Sequence, residues 1–415
     1  MRKILTIAFL LCSFQTQAAV SQAIQQEPDK EIDPCLASTC RSAPSRENLA
    51  AIGSKGHIRG IIGGFAQGAG LAGGVQFTTA NSIPHMELRA LALTSTGLDR
   101  RFDLEGVFDI GSSRNHADAW FSYMQRQNDF FGIGPSTSNA IKNSFATDQR
   151  SYQGSLYRDI AEHLQGGVYA QVMNSHSGPG KDKADPPITD SFSGTPSPSA
   201  TQWAPGLLST TQIASYGGFL KFDTRDKSVD LTRGVDLYAR VASNDGMKGH
   251  DAFADYGWLE GEFDARGYIP LGSTRTSLAL RSRGQFQKTK GGSQIPFYDL
   301  AFLGGRDFVR GYDAYRFRGN NLLMIATELR QTVYKKTDLR GVDVFVFGDS
   351  GQVWGDARSS TDPSILANQH FDSSNWRSGV GGGLQYRHSR SLAVRVEMGH
   401  SNEGNRIYAS MSRGF

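Results

Sequence analysis

The chain has 415 residues, among them 48 glycines and three cysteines, which suits one large secreted domain better than a disulfide-dense scaffold. Its formal charge of +4 loses two units if Arg2 and Lys3 are removed, leaving +2, too little for a nucleic-acid-binding surface. After Phe14 no run approaches the ~18 consecutive apolar residues of a membrane-spanning helix. A β-barrel stays possible, because its strands alternate apolar and polar residues.

Met1, Arg2 and Lys3 make a positive start, and Ile4 to Phe14 is an apolar run too short to cross a bilayer. Thr16-Gln17-Ala18 supplies small residues for cleavage, so residues 1–18 read as a signal peptide that carries Cys12 away with it. Residues 19–56 are polar and contain Pro34 and Pro44. They predict an irregular periplasmic segment, with one short helical turn near Glu47 to Ile52. That segment is shorter than the ~50 residues of a typical small domain. Cys35 and Cys40, with four residues between them, are expected to form a local disulfide in an oxidising periplasm.

From about His57 the pattern has period 2 to the end, predicting a barrel over 57–415. Phe102, Leu104 and Phe108 alternate with Asp103, Glu105 and Asp109. Val235, Leu237, Ala239 and Val241 alternate with Asp236, Tyr238 and Arg240. Near the end, Leu392, Val394, Val396 and Met398 oppose Arg395 and Glu397. Sixteen strands are expected, starting with 57–67 and ending with 405–415. Every long connection (127–147, 175–209, 288–320 and 350–375) follows an odd-numbered strand of that set. Short turns at one rim and long loops at the other, with an even strand number, are the outer-membrane barrel pattern. The expected class is therefore all-β, a transmembrane antiparallel barrel in the bacterial outer membrane.

One spaced set of residues bears on function. Leu303-Gly304-Gly305 precedes Val309-Arg310-Gly311-Tyr312 in the 288–320 loop. Glu328 lies in the next strand, and the strand after it ends Phe347-Gly348-Asp349-Ser350-Gly351. Glu328 and Asp349 share the lumen-facing parity, since Leu323, Ile325 and Leu329, and Val342, Val344 and Val346, take the lipid side. Arg310 sits in mid-loop between these strands, where its fork-shaped guanidinium can bind a carboxylate through two parallel hydrogen bonds. Gly311 permits a tight turn there.

These residues resemble the BamA/TamA-type surface-antigen barrel superfamily. The resemblance implies sixteen strands and a long extracellular loop folded into the lumen. Its tip signature is matched by Val309 to Tyr312, and its arginine would pair with Asp349 and Glu328. Asp129 to Pro135 and Phe222 to Asp226 look alike as well, and terminal Phe415 matches the family's sorting end. Members that assemble proteins carry periplasmic POTRA domains. Residues 19–56 leave no room for one, nor for a patatin-like enzyme, so the barrel-only branch is expected.

Other signals are weak. Gly348-Asp349-Ser350-Gly351 is like a serine-protease turn but lacks a placed histidine and an oxyanion hole. Gly68 to Gly73 matches a dinucleotide fingerprint but spans a strand turn. Nine histidines are scattered, so no metal, cofactor or catalytic residue is expected. The expected function is translocation or assembly of protein or lipid through a seam between the first and last strands, where Gly60, Gly63, Gly64 and Gly68 weaken pairing. A passive pore or structural surface barrel is the alternative. Expected partners are outer-membrane lipid and lipopolysaccharide, the barrel assembly machinery during biogenesis, and an unidentified translocated substrate, but no nucleic acid.

Overall fold

The computed structural model describes residues 49–55, 58–63, 71–79, 83–97, 99–111, 114–181, 185–194, 203–225, 233–247, 255–272, 275–337, 340–355, 370–388 and 393–410. The expected signal peptide, the Cys35 and Cys40 pair and Phe415 lie outside them. Among the described residues no helix is long and apolar enough to cross a membrane; regular structure is almost entirely strand.

The first strands are β1 (Leu49–Lys55), β2 (Ile58–Gly63), β3 (Ala72–Thr78), β4 (Met86–Ser95) and β5 (Arg100–Asp109). Longer ones follow: β6 (Asn115–Phe130), β7 (Asn143–Ala161), β8 (Leu164–Pro179) and β9 (Thr210–Asp223). Then come β10 (Gly234–Gly246), β11 (Gly257–Pro270) and β12 (Thr276–Thr289). β13 (Ala301–Leu303) and β14 (Phe317–Gly319) pair with each other as a small separate hairpin. The last five are β15 (Asn321–Lys335), β16 (Gly341–Trp354), β17 (Arg377–Arg387), β18 (Ala393–Ser401) and β19 (Gly404–Ser410). Successive strands pair antiparallel throughout, β15 joining β12 across the loop that holds the hairpin.

The described sheet has seventeen strands. Sixteen overlap the expected set, and the added one is β1. The sequence places 49–55 in an irregular segment with a helical turn, whereas Leu49 to Lys55 pair along β2, from Leu49 opposite Gly63 to Lys55 opposite Ile58. Neighbouring backbone decides the outcome in a stretch without period-2 patterning.

The burial pattern is inside out. Large apolar residues such as Leu104, Leu156, Val168, Leu220, Val346, Leu384, Val396 and Ile407 are exposed on one face of the sheet. On the other face Arg101, Asp103, Glu260, Glu328, Asp349 and Arg395 are buried. Oily side chains meet acyl tails and charged ones line an enclosed space. The 290–320 loop crosses that space. Its Arg316 bonds both Thr137, beyond β6, and Glu403, between β18 and β19. Strands from far ends of the sheet thus face one loop, and the sheet curves round it as a barrel.

Candidate functional site: the lumen loop and its ion cluster

The loop enters the lumen as the β13–β14 hairpin. Ala301, Leu303, Phe308, Val309, Tyr312 and Phe317 pack on the inner faces of β15 and β16 through Leu322, Met324, Ala326 and Val353. This apolar packing fixes the height at which the tip residues 304–316 sit.

Arg310 is 4% exposed. Its Nε and Nη2 donate to the two Asp349 oxygens at 2.6 and 2.7 Å, and its backbone N–H donates to Oδ2 at 3.1 Å. Nη1 donates to Glu328 at 3.0 Å and to Glu397 of β18 at 3.1 Å. Arg395 fills the far side, donating to Glu328 at 2.6 Å and Glu397 at 2.7 Å, and Arg330 donates to Glu328 at 2.6 Å. Three arginines (310, 330, 395) meet three carboxylates (328, 349, 397), so the cluster is formally neutral. Burial opposes the charge on Arg310, but Asp349, then Glu328 and Glu397, outweigh it and raise the guanidinium's pKa above its ordinary value.

Two phenylalanine rings floor the cluster. The Arg310 guanidinium lies 3.4 Å from the Phe347 ring centroid, and that of Arg395 lies 3.6 Å from Phe345. Behind them β17 presents bare backbone. A Cβ on Gly379 would stand 1.8 Å from the Arg310 carbonyl oxygen, and one on Gly381 2.5 Å from the Phe347 ring. A Cβ on Gly399 of β18 would stand 2.7 Å from the Gly311 nitrogen. The tip rests directly on main chain.

Gly311 has φ of 103°, a left-handed turn, and a Cβ there would meet the His400 backbone at 2.8 Å. Its N–H donates to the Tyr408 hydroxyl at 2.8 Å, which donates to the Tyr312 carbonyl at 3.0 Å. Ser401 donates to the Gly311 carbonyl at 2.8 Å, and Tyr312 donates to Asn402 at 2.6 Å. Phe347 and Gly351 face the lumen, Gly351 against Leu303 of the hairpin.

Two other walls grip the loop. Asp129 to Pro135, the stretch singled out by resemblance, turns inward after β6. Gly134 N–H donates to the Arg318 carbonyl at 2.7 Å, and the Pro135 carbonyl accepts from Arg377 at 2.7 Å. Burial pulls the pKa of Arg318 down to about 10 among the rings of Phe130, Phe145 and Tyr315. On the opposite wall Arg281 bonds Asp264 at 2.6 Å and donates to the Asp307 carbonyl at 3.0 Å. Of Phe222 to Asp226 the described part, Phe222 to Arg225, lies elsewhere, at the end of β9, where Arg225 bonds Asp223 and pairs with Asp236.

Above the cluster the extracellular loops and the strand ends beside them make an apolar cap. Phe130, Phe145 and Phe297 pack edge to face with centroids 4.9–6.3 Å apart, joined by Ile133, Ile188, Leu207, Tyr256 and Tyr298.

Sequence reasoning missed Glu397, Arg395, Tyr408 and Gly379. The inward parity of Arg395 and Glu397 was visible, but which strands the tip reaches was not. Tyr408 and Trp120 both face the lumen, at 5% and 7% exposure.

A family model for the Omp85 superfamily domain matches residues 109–400. Among solved structures the chain is similar to BamA from Haemophilus ducreyi lacking POTRA domains 1–3, at 14% identity and a TM-score of 0.61, covering 88% of this chain and 70% of that one. It is also similar to CdiB from Escherichia coli, at 12% identity and a TM-score of 0.55, covering 87% of this chain and 62% of that one. CdiB from Acinetobacter baumannii gives 13% identity and a TM-score of 0.50, covering 88% and 59%. The chain therefore spans less than two thirds of either CdiB chain; at these identities the likeness is one of fold. No curated protein sequence matches it. Barrels of this kind are generally translocation or assembly proteins rather than enzymes, and they sit in the bacterial outer membrane. The inside-out barrel, the arginine-bearing lumen loop and a family match over most of the strands agree: this chain belongs to the Omp85 superfamily.

Proposed function

We propose that this protein passes or inserts a polypeptide or lipid at the outer membrane by parting the seam between β1 and β19, the first and last strands of the described sheet, with the lumen loop as the latch that holds the barrel shut. One observation carries the reading: the lumen is stoppered. The loop fills its centre through the Arg310 cluster, and an apolar cap drawn from the loops and adjoining strand ends covers the extracellular side. A conduit built only for small solutes gains nothing from a neutral, fully bonded stopper. On that side of the seam β1 is seven residues long and its partner β2 six, with Gly60 and Gly63, against nineteen residues in β7, so the wall is weakly paired beside the seam. Export by the N-terminal signal, delivery by the barrel assembly machinery, and contact with outer-membrane lipid and lipopolysaccharide belong to the same proposal.

The test is a disulfide across the seam, with one cysteine in 49–55 and one in 404–410. Locking it is expected to abolish the activity lost on gene deletion, and reductant to restore it. Unchanged activity in the locked, folded barrel would refute a moving seam.

A second reading, a passive pore, draws support from the polar inner face of β7, where Gln149, Ser151, Gln153 and Ser155 point inward. Single-channel recording separates the two. Under the latch reading wild type is nearly closed and Arg310→Ala flickers open. Steady conductance indifferent to Arg310→Ala would favour the pore.

A further inference from the structure

The outer wall of the barrel carries a groove unrelated to the lumen loop. In the sheet register Gly218 lies opposite Val241, Val241 opposite Gly261, and Gly261 opposite Phe286. These positions face the bilayer, and the glycines on either side of Val241 leave it bare. A Cβ on Gly261 would meet nothing within 4 Å. The next row towards the extracellular rim runs Tyr216, Ser243, Leu259, Lys288. Val241, Gly261 and Phe286 with this second row line a laterally open cavity of about 530 Å³ whose walls are Tyr216, Val241, Leu259 and Phe286.

The height of the groove follows from its neighbours. Phe286 packs on Trp354, Trp354 on Phe371, and Phe371 on Trp376, with centroids 5.2–6.0 Å apart. Such an aromatic row marks the boundary between acyl chains and headgroups. Lys288 stands at that boundary, exposed, and its ammonium forms no ion pair or hydrogen bond among the described residues. Its stem can lie on the apolar wall while its ammonium reaches the headgroup layer. Nearby Lys290, by contrast, is held by Asp245 and Ser243 at 2.6 Å each.

We propose that this groove binds one molecule of lipopolysaccharide from the outer leaflet, an acyl chain lying over Gly261 and a phosphate of the lipid anchor on Lys288. Only membrane components reach a bilayer-facing apolar groove. The uncompensated cation at its rim selects an anionic headgroup, and the position beneath the long loops selects the outer leaflet. The inference rests on the orientation of the barrel, not on a moving seam.

The full-length protein in detergent would be incubated with the bis-phosphorylated lipid anchor, with the same lipid after phosphate removal, and with zwitterionic phosphatidylethanolamine. Bound lipid would be counted by native mass spectrometry. Wild type is expected to retain one phosphorylated lipid. Gly261→Leu, which fills the groove on a face already apolar, is expected to weaken retention about tenfold or more. Lys288→Gln is expected to remove the preference for phosphate while leaving the dephosphorylated lipid's binding unchanged. Heat-modifiable migration would confirm that both variants fold. Equal retention by Gly261→Leu, or wild-type binding that ignores phosphate, would overturn the site.

Discussion

Arg310→Ala is expected to release the lumen loop and lower the amount of folded, heat-modifiable barrel in the outer membrane. The reason is charge balance. Asp349 would lose two side-chain bonds and one partner charge, while Glu328 and Glu397 would keep Arg395. Removing one member of a buried pair typically costs about 3–5 kcal/mol, because the remaining charge stays desolvated. Lumen water would reach Asp349 once the tip lifts, so the lower end of that range is expected. Arg310→Lys keeps the charge but loses the fork that spans both Asp349 oxygens, and should fall between wild type and Ala. Asp349→Asn should resemble Arg310→Ala, since a neutral amide leaves the guanidinium short of a charge partner. The measurement is the temperature at which the compact form converts to the slow-migrating unfolded form on a gel. Wild-type conversion temperatures in both Arg310→Ala and Asp349→Asn would remove the latch from the account.

The strands were legible because lipid and lumen sort side chains by parity, and parity is written residue by residue. Val235 to Val241 and Leu392 to Met398 alternate cleanly, so their faces follow without knowledge of neighbours. The height of the loop tip was less accessible. Arg310, Glu328 and Asp349 are close in sequence, so their meeting needs only two adjacent strands and a loop. Glu397 lies 87 residues from Arg310, and its part depends on how far the barrel wall curves round the tip. Gly379, Gly381 and Gly383 were invisible for another reason. Glycine has no side chain to carry parity, so Gly379 to Gly383 reads as a featureless stretch although three of its glycines form the seat of the site. β1 failed on the same ground: Leu49 to Lys55 shows no alternation, and its pairing with β2 is a fact about a neighbour.

That seat supplies the second large effect. Gly379→Ala is expected to unseat the loop tip without altering a single charge. Its Cβ would lie 1.8 Å from the Arg310 carbonyl oxygen and 3.4 Å from that of His400, both main-chain atoms that cannot rotate aside as a side chain could. The tip must lift, and the ion cluster pairs tightly only while the guanidinium stays within about 3 Å of its carboxylates. Loss of the latch by this steric route should resemble loss of Arg310 itself, with a fall in conversion temperature of similar size. The decisive comparison is the double variant. If seat and cluster are one device, Gly379→Ala costs little more once Arg310 is already Ala, giving a coupling of about 0.5–3 kcal/mol as for residues in direct contact. Additive losses would mean that β17 fails to pair for reasons of its own. In that case Gly379 merely accommodates neighbouring backbone, and the seat has no part in holding the loop.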